Sequence, residues 1–330
     1  MSDGAPQQIA VLTVDPSILP VTLGPSAKHV LPMALGGSWY DKGANDADLI
    51  AAMETAYEAG IRHFDTGARY SGGHSEELLG NFARGRRETM FLASKSDTPE
   101  LTAAAMLTEI EGSLKRLRVE AIDLYYIHWP RSGRDMRPTM EGMELARQQG
   151  KIAAVGVSNF SVPQMQQIAE IGRIDAHQLG YNLLWRHPET NIIPYCAANG
   201  IAVVAYSTLA HGILTGKFGR DPGLRPGDQR HTILPFRADI WPYVYAGVEE
   251  LKQLASKLDL PLATLALRWA LARPGVSSVV AGAKNREQAV ANVAALAAAI
   301  PSSAFERMTA ISDRVAGHVP DVGNLFNHYP

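Results

Sequence analysis

A single cysteine, Cys196, stands in a chain of 330 residues. One thiol cannot form an intramolecular disulfide or supply a multi-cysteine metal site, which excludes a disulfide-stapled scaffold and a zinc ribbon. An excess of charge is also missing: 31 Lys and Arg face 33 Asp and Glu, a formal −2, with the signs interspersed along the chain. The electrostatic footprint of a nucleic-acid binder is therefore absent. The only basic cluster, RGRR at 84–87, reads as the solvated end of a helix. No uninterrupted apolar run approaches the length of a membrane span. The opening MSDGAPQQIAVLTVDP lacks a basic region followed by an apolar one, so it does not read as a signal peptide. These features predict a soluble cytoplasmic protein.

What is there is a globular composition, with 46% hydrophobic and 19% charged residues, enough apolar material for a sizeable core. After a strand–turn–strand at 18–34, with Gly24-Pro25-Ser26 at the turn, short apolar segments alternate with longer helix-patterned ones. The short segments fall at 31–37, 61–66, 89–95, 121–128, 152–158, 174–182, 201–207 and 277–283. Several of the intervening stretches begin at Ser, Asp or Thr-Pro and end at Gly, the signals of a capped start and a left-handed stop. Two helices, at 245–258 and 261–272, stand between the seventh and eighth strands. Strands that are apolar throughout are covered on both faces, so eight strand–helix units predict an α/β fold: a closed (β/α)8 TIM barrel with an N-terminal β-hairpin and long substrate loops. No Pro/Gly/Ser-rich linker breaks the alternation, so 1–330 reads as a single domain. An open doubly wound sheet would bring G-x-G-x-x-G after the first strand, where this chain has LGGSW.

In such a barrel the active site lies at the C-terminal ends of the strands. Asp65 ends the second strand, Lys95 the third and His128 the fourth, while Tyr70 follows in the loop after the second. Taken alone, each has a structural reading: a loop acid, a surface lysine, a satisfied histidine, a packing tyrosine. As a set at successive strand mouths they suit proton exchange with a carbonyl or alcohol oxygen. A tyrosine hydroxyl titrates near 10, and a nearby ammonium lowers that value. Lys95 is placed to do this, Asp65 to hold the lysine charged, and His128 to bond the same substrate oxygen, giving the polarised pocket that hydride delivery requires.

The segments HFDTGARYSGGHSEELLG (63–80), LASK (92–95), DLYYIHWP (123–130), GVSNF (156–160), QLGYN (178–182), AYSTLAHGILTGK (205–217) and VAGAKNREQAVAN (280–292) resemble, in order, the signatures of the aldo-keto reductases. The resemblance covers almost the whole chain from about residue 20. It implies a catalytic tetrad of Asp65, Tyr70, Lys95 and His128, with Tyr70 the general acid in reduction, and an NADP(H) or NAD(H) cofactor extended over the barrel mouth. By the same likeness Ser158, Asn159 and Gln178 would hold the nicotinamide carboxamide and Tyr206 would stack on its ring, with Gly37, Ser38 and Asp65 also at the cofactor. The stretch carrying Ser207, Leu209, Gly212 and Lys217 resembles the family loop that meets the pyrophosphate; a Gly-rich turn admits an anion to the backbone. It is not a Walker loop, and GVSNF is not a nucleophile elbow.

The last strand runs through Gly282 to Lys284 at the start of a helix, a suitable place for the adenosine 2′-phosphate, with Gln288 and Asn292 near the adenine. Many NADPH-specific members carry Arg where Gln288 stands and Glu where Ala291 stands, so the resemblance favours NADP(H) over NAD(H) without fixing it. Substrate contacts are assigned to Tyr70, His128, Trp39 and Trp129, with Tyr40, the RSGRDMR loop, Phe236 and Trp241 in the 218–243 insertion and the tail ending at Phe326 as further candidates. The 218–243 stretch reads as a mobile cover over the cofactor. The partner is a small carbonyl or alcohol, in a possible homo-oligomer. Two other functions remain open. One is an NAD(P)+-dependent sugar or alcohol dehydrogenase using the same residues. The other is a nucleotide-sensing regulatory subunit resembling potassium-channel β subunits, against which the complete tetrad weighs.

Overall fold

The computed structural model describes residues 13–38 and 45–326. Eight strands close into one parallel barrel in sequence order. They are β1 (Met33–Gly36), β2 (His63–Asp65), β3 (Phe91–Ser96), β4 (Ile122–Ile127), β5 (Ile152–Ser158), β6 (Ala176–Gly180), β7 (Ala202–Tyr206) and β8 (Val276–Gly282). Each falls on or within a residue of a segment expected from the apolar pattern. The helices are α1 (Asp46–Glu58), α2 (His74–Ala83), α3 (Ala103–Leu117), α4 (Arg137–Gln148), α5 (Val162–Ala169), α6 (Ile192–Ala198), α7 (Trp241–Lys257), α8 (Leu262–Leu271), α9 (Arg286–Ala294) and α10 (Ser302–Ala316). The extra helix between β7 and β8 begins at Trp241 rather than 245, because Pro242 is accommodated in its first turn. Among the described residues no single helix is long and apolar enough to cross a membrane.

Paired residues of neighbouring strands share a face, which defines the filling of the barrel. Ala93, Leu124 and Ala154 follow one another in register, and with Phe91, Tyr126, Ala176 and Val204 they make an interior cluster. The expected hairpin at 18–34 is reduced to one antiparallel bridge, Val21 with Val30. Its role is a plug: Leu23 and Val30 are buried in that interior cluster and close the end where the strands begin. The turn needs Gly24, whose φ of +73° is left-handed and where a Cβ would stand 2.7 Å from Ala154 Cβ and 3.1 Å from Asp175 Cβ. With the strand-start end plugged by Leu23 and Val30, Asp65, Lys95 and Ser158 lie toward the opposite mouth.

Candidate active site

The short β2 ends at Asp65, and the chain is then lashed to β3: Thr66 N–H donates to Ala93 O (2.9 Å) and Ala68 N–H to Lys95 O (3.0 Å). A 3-10 turn, Tyr70–Gly73, follows, with Ser71, Gly72 and Gly73 at positive φ. This reversal holds Tyr70 over the mouth. Gly67 leaves it room, since a Cβ there would stand 3.3 Å from the phenol ring.

Lys95 is fully buried. Its Nζ donates to the Asp65 carboxylate and to Thr66 O (2.7 Å), and lies 4.9 Å from the Tyr70 ring centroid. The second Asp65 oxygen accepts from Gln178 Nε2 (2.8 Å), so the buried carboxylate is met on both sides. Tyr70 and His128 face each other, with the hydroxyl 3.5 Å from Nε2, at the outer limit of hydrogen bonding. A substrate oxygen between them would be within reach of both. Four side chains from three neighbouring strand ends and one loop thus converge as the sequence suggested.

The electrostatics depart from the sequence argument at Tyr70. Burial raises its pKa above 10, and the Asp65 charge adds to this, so the opposing effect of the Lys95 ammonium does not prevail. Tyr70 is therefore a neutral phenol at ordinary pH, the form that donates a proton. For Lys95, burial favours the neutral amine, but the Asp65 charge and Tyr70 outweigh it and the group stays an ammonium.

The sequence reading missed Asp97, which accepts from His128 Nδ1 at 2.7 Å. Burial alone would raise its pKa, but the His128 bond and the charges of His128, Arg69 and Lys95 hold it below the usual carboxylate value. The signal was present in SKSD: strand periodicity puts residues 95 and 97 on one face.

Beside this cluster lies a second polar set. Asn159 adopts a φ of +66°, which Asn tolerates. Its amide donates to Ser158 Oγ (3.0 Å) and His128 O (3.2 Å), and its oxygen accepts from the Tyr206 hydroxyl (2.6 Å). Gly37 N–H donates to Asp65 O (2.8 Å), next to exposed Ser38. After β7 the backbone reverses repeatedly, with positive φ at Ser207, Ala210, His211, Gly212 and Gly216, while Leu209 packs on the core. Lys217 folds over Gly212, where a Cβ would meet Nζ at 2.9 Å. Burial, then the charges of Arg230 and Lys284, lower the Lys217 pKa, so three cations share this corner, with Asp228 opposing. Arg230 was a second residue the sequence reading did not single out. At the start of α9, Gln288 Oε1 accepts from Lys284 N–H (3.0 Å) and Asn292 Nδ2 donates to Gly282 O (3.0 Å), so part of each side chain serves the helix.

Over the mouth, Phe326 stacks on Tyr206 at 6.1 Å and meets Trp129 edge-on at 5.9 Å. Trp39 and Tyr40 lie outside the described residues. Phe236 and Trp241 are buried, stacked on each other at 5.4 Å against Phe218; they are packing residues rather than pocket wall. They also pin the second half of the 218–243 segment, whose Leu234 N–H donates to Leu325 O (3.0 Å). The described residues contain no group of three or more His, Cys, Asp or Glu able to hold a metal ion.

The sequence model of the aldo/keto reductase family matches residues 32–313. Among curated relatives, the NADH-specific methylglyoxal reductase of Escherichia coli is 29% identical over 286 residues, 80% of this chain and 87% of that one. Among solved structures, the glycerol dehydrogenase of Gluconobacter oxydans superposes with a TM-score of 0.81 at 30% identity, covering 92% of this chain and 96% of that one. An aldo/keto reductase from Klebsiella pneumoniae in complex with NADP and acetate superposes with a TM-score of 0.73 at 27% identity, covering 93% and 98%.

Proposed function

The chain belongs to the aldo/keto reductase family, and from that premise we propose that it reduces an aldehyde or ketone with a nicotinamide cofactor, Tyr70 supplying the proton. The observation that carries this reading is the convergence of Asp65, Lys95, Tyr70 and His128, with the phenol held neutral and the lysine charged. A nicotinamide cofactor, when bound, would supply the hydride. Tyr70 gives its proton to the substrate oxygen as that oxygen gains charge, and His128 Nε2, when it carries a proton, donates to the same oxygen from the other side. Lys95, anchored by Asp65, then faces the phenolate and stabilises it until a proton returns.

The residues present fit the cofactor. Ser158, Asn159 and Gln178 offer amide and hydroxyl groups for a carboxamide, and Tyr206 a ring face beside them. Gly37, Ser38 and Gly282 offer a side-chain-poor strand end, and the loop of Ser207, Leu209 and Gly212 with Lys217 suits a pyrophosphate. Lys284, with Gln288 and Asn292, is assigned to the adenosine end, and NADP(H) is preferred over NAD(H) because Lys217, Arg230 and Lys284 together favour the more anionic form. Trp129 and Trp39 are assigned to the substrate, and the whole chain to one barrel domain.

The test is spectrophotometric oxidation of NADPH across a carbonyl panel, with Tyr70→Phe beside the wild type. The expected result is a fall in kcat of about 10²- to 10⁴-fold with nucleotide affinity nearly intact. Undiminished turnover in Tyr70→Phe would sink the assignment. The likeness to a glycerol dehydrogenase favours one second reading, oxidation of an alcohol by the same residues in reverse, which polyols with NADP+ or NAD+ would reveal. Near-zero turnover with tight nucleotide binding would instead point to a regulatory subunit.

A further inference from the structure

His128 has two ring nitrogens, and their neighbours are of opposite kinds. Nε2 faces the Tyr70 hydroxyl, a group able to donate or accept, at 3.5 Å. Nδ1 lies 2.7 Å from a carboxylate oxygen of Asp97, which can only accept because Asp97 is held in its ionised form. The proton on Nδ1 is thereby fixed. A His128 ring flipped about χ2 would lose this bond, so the same contact fixes which edge of the ring faces the mouth.

We propose that Asp97 is a positioning residue for proton transfer at Tyr70: it accepts from His128 Nδ1–H and so turns Nε2 to the mouth, where it accepts from the Tyr70 hydroxyl in the neutral ring and donates to a substrate oxygen only in the protonated ring. The inference rests on the proposed carbonyl reduction for its catalytic meaning, and on the geometry alone for the pairing. Asp97 itself is steadied. Its other oxygen is 3.9 Å from an Arg69 guanidinium nitrogen, and its side chain is 9% exposed. It lines a small cavity with Thr98, Trp129 and Arg131 beneath the loop after β4. The His128 main chain is held as well, its N–H donating to Ser96 O (3.1 Å) and its carbonyl accepting from Asn159 (3.2 Å). With the backbone fixed from two sides, the ring torsions are the remaining freedom, and Asp97 removes them.

The experiment uses the full chain with ¹⁵N-labelled histidine. In the wild type, the neutral His128 ring carries its proton on Nδ1. In Asp97→Asn the carboxylate that holds Nδ1–H is gone, and the ¹⁵N shifts of the neutral ring report a mixture of the two tautomers instead of Nδ1–H alone. Expected too are a kcat about tenfold lower or worse, as for other residues that orient a functional histidine, and an NADPH dissociation constant within twofold. Asp97→Ser gives the same pattern if the charge, not the shape, matters. A wild-type ring protonated on Nε2 alone, or variant spectra superimposable on the wild type, would overturn the proposal. Absence of hydride transfer in the wild type would instead remove the reaction, while the tautomer still reports on the pairing; and the wild-type spectrum decides the point even where a variant does not fold.

Discussion

The ring of Tyr126 fills the space that a side chain at Gly156 would need: a Cβ built there would stand 3.0 Å from Tyr126 Cγ and closer still to the ring edge. The two residues are register partners inside the barrel, and Tyr126 is in turn the partner of Lys95. A glycine in the middle of a strand normally weakens it, and here its use is to admit an aromatic that fills the barrel directly beside the buried lysine. Gly156→Ala is expected to cost about 1–3 kcal/mol by overpacking, read as a lower urea midpoint. Because Tyr126 can relieve the clash only by moving toward its other neighbours, kcat should fall along with stability. An unchanged midpoint would show that the ring yields without cost.

The Lys95–Asp65 pair makes an opposite kind of demand. Both side chains are buried, so removing one leaves the other uncompensated, a change worth roughly 3–5 kcal/mol in such settings. Lys95→Met should therefore destabilise the fold strongly as well as lower activity. In the double variant Lys95→Met, Asp65→Leu the stranded charge is gone, so much of the stability should return while activity does not. Equal midpoints for single and double variants would mean that the pair is not electrostatically isolated from water.

How much of this was legible in the sequence follows from which forces are local. The eight strands were readable because strands covered on both faces are apolar throughout, and Asp65, Lys95 and His128 stood out as polar residues ending apolar runs. The hairpin is present as one antiparallel bridge between Val21 and Val30, kept short because Leu23 and Val30 are consumed in plugging the barrel. Phe236 and Trp241 were offered as pocket aromatics because composition does not say which side of a loop faces inward; they stack on each other instead. Asp97 escaped notice because its function depends on a distance to His128 across two strands. The Tyr70 titration was misjudged for a related reason, since only the fold reveals that burial outweighs the lysine.

His63, one alternation below Asp65 on β2, is fully buried with neither ring nitrogen hydrogen-bonded, packed edge-on to Phe91 at 5.0 Å. Burial lowers its pKa from 6.5 to about 4. The folded state thus resists a proton that the unfolded chain accepts. Between those two values the unfolded state binds more protons, so stability is fully present above about pH 6.5 and is lost as pH falls toward 4. At about 1.36 kcal/mol per pH unit the drop from 6.5 to about 4 corresponds to roughly 3 kcal/mol. His63→Leu should flatten that part of the curve, measured by urea unfolding at several pH values. His177 and His211, also held neutral by burial, would leave a residual slope. A curve for His63→Leu parallel to the wild type would place the acid sensitivity elsewhere.

Burial, and after it the charges of Arg230 and Lys284, lower the Lys217 pKa, and the Asp228 carboxylate opposes them. Arg230 is already engaged by Asp228 through two nitrogens, so its charge is largely matched. The Lys284 charge also acts on Lys217, and an incoming phosphate would ease that repulsion. On the proposed assignment of the 2′-phosphate to Lys284, Lys284→Ala should weaken NADPH by roughly 10- to 100-fold, the worth of one charge-assisted hydrogen bond, and leave NADH nearly unchanged. Lys217→Ala, at the position proposed for the phosphates common to both, should weaken both. Salt should mimic the first variant in part, since exposed charges are screened. Equal losses for the two cofactors in Lys284→Ala would remove the 2′-phosphate from this corner and with it the preference for NADP(H).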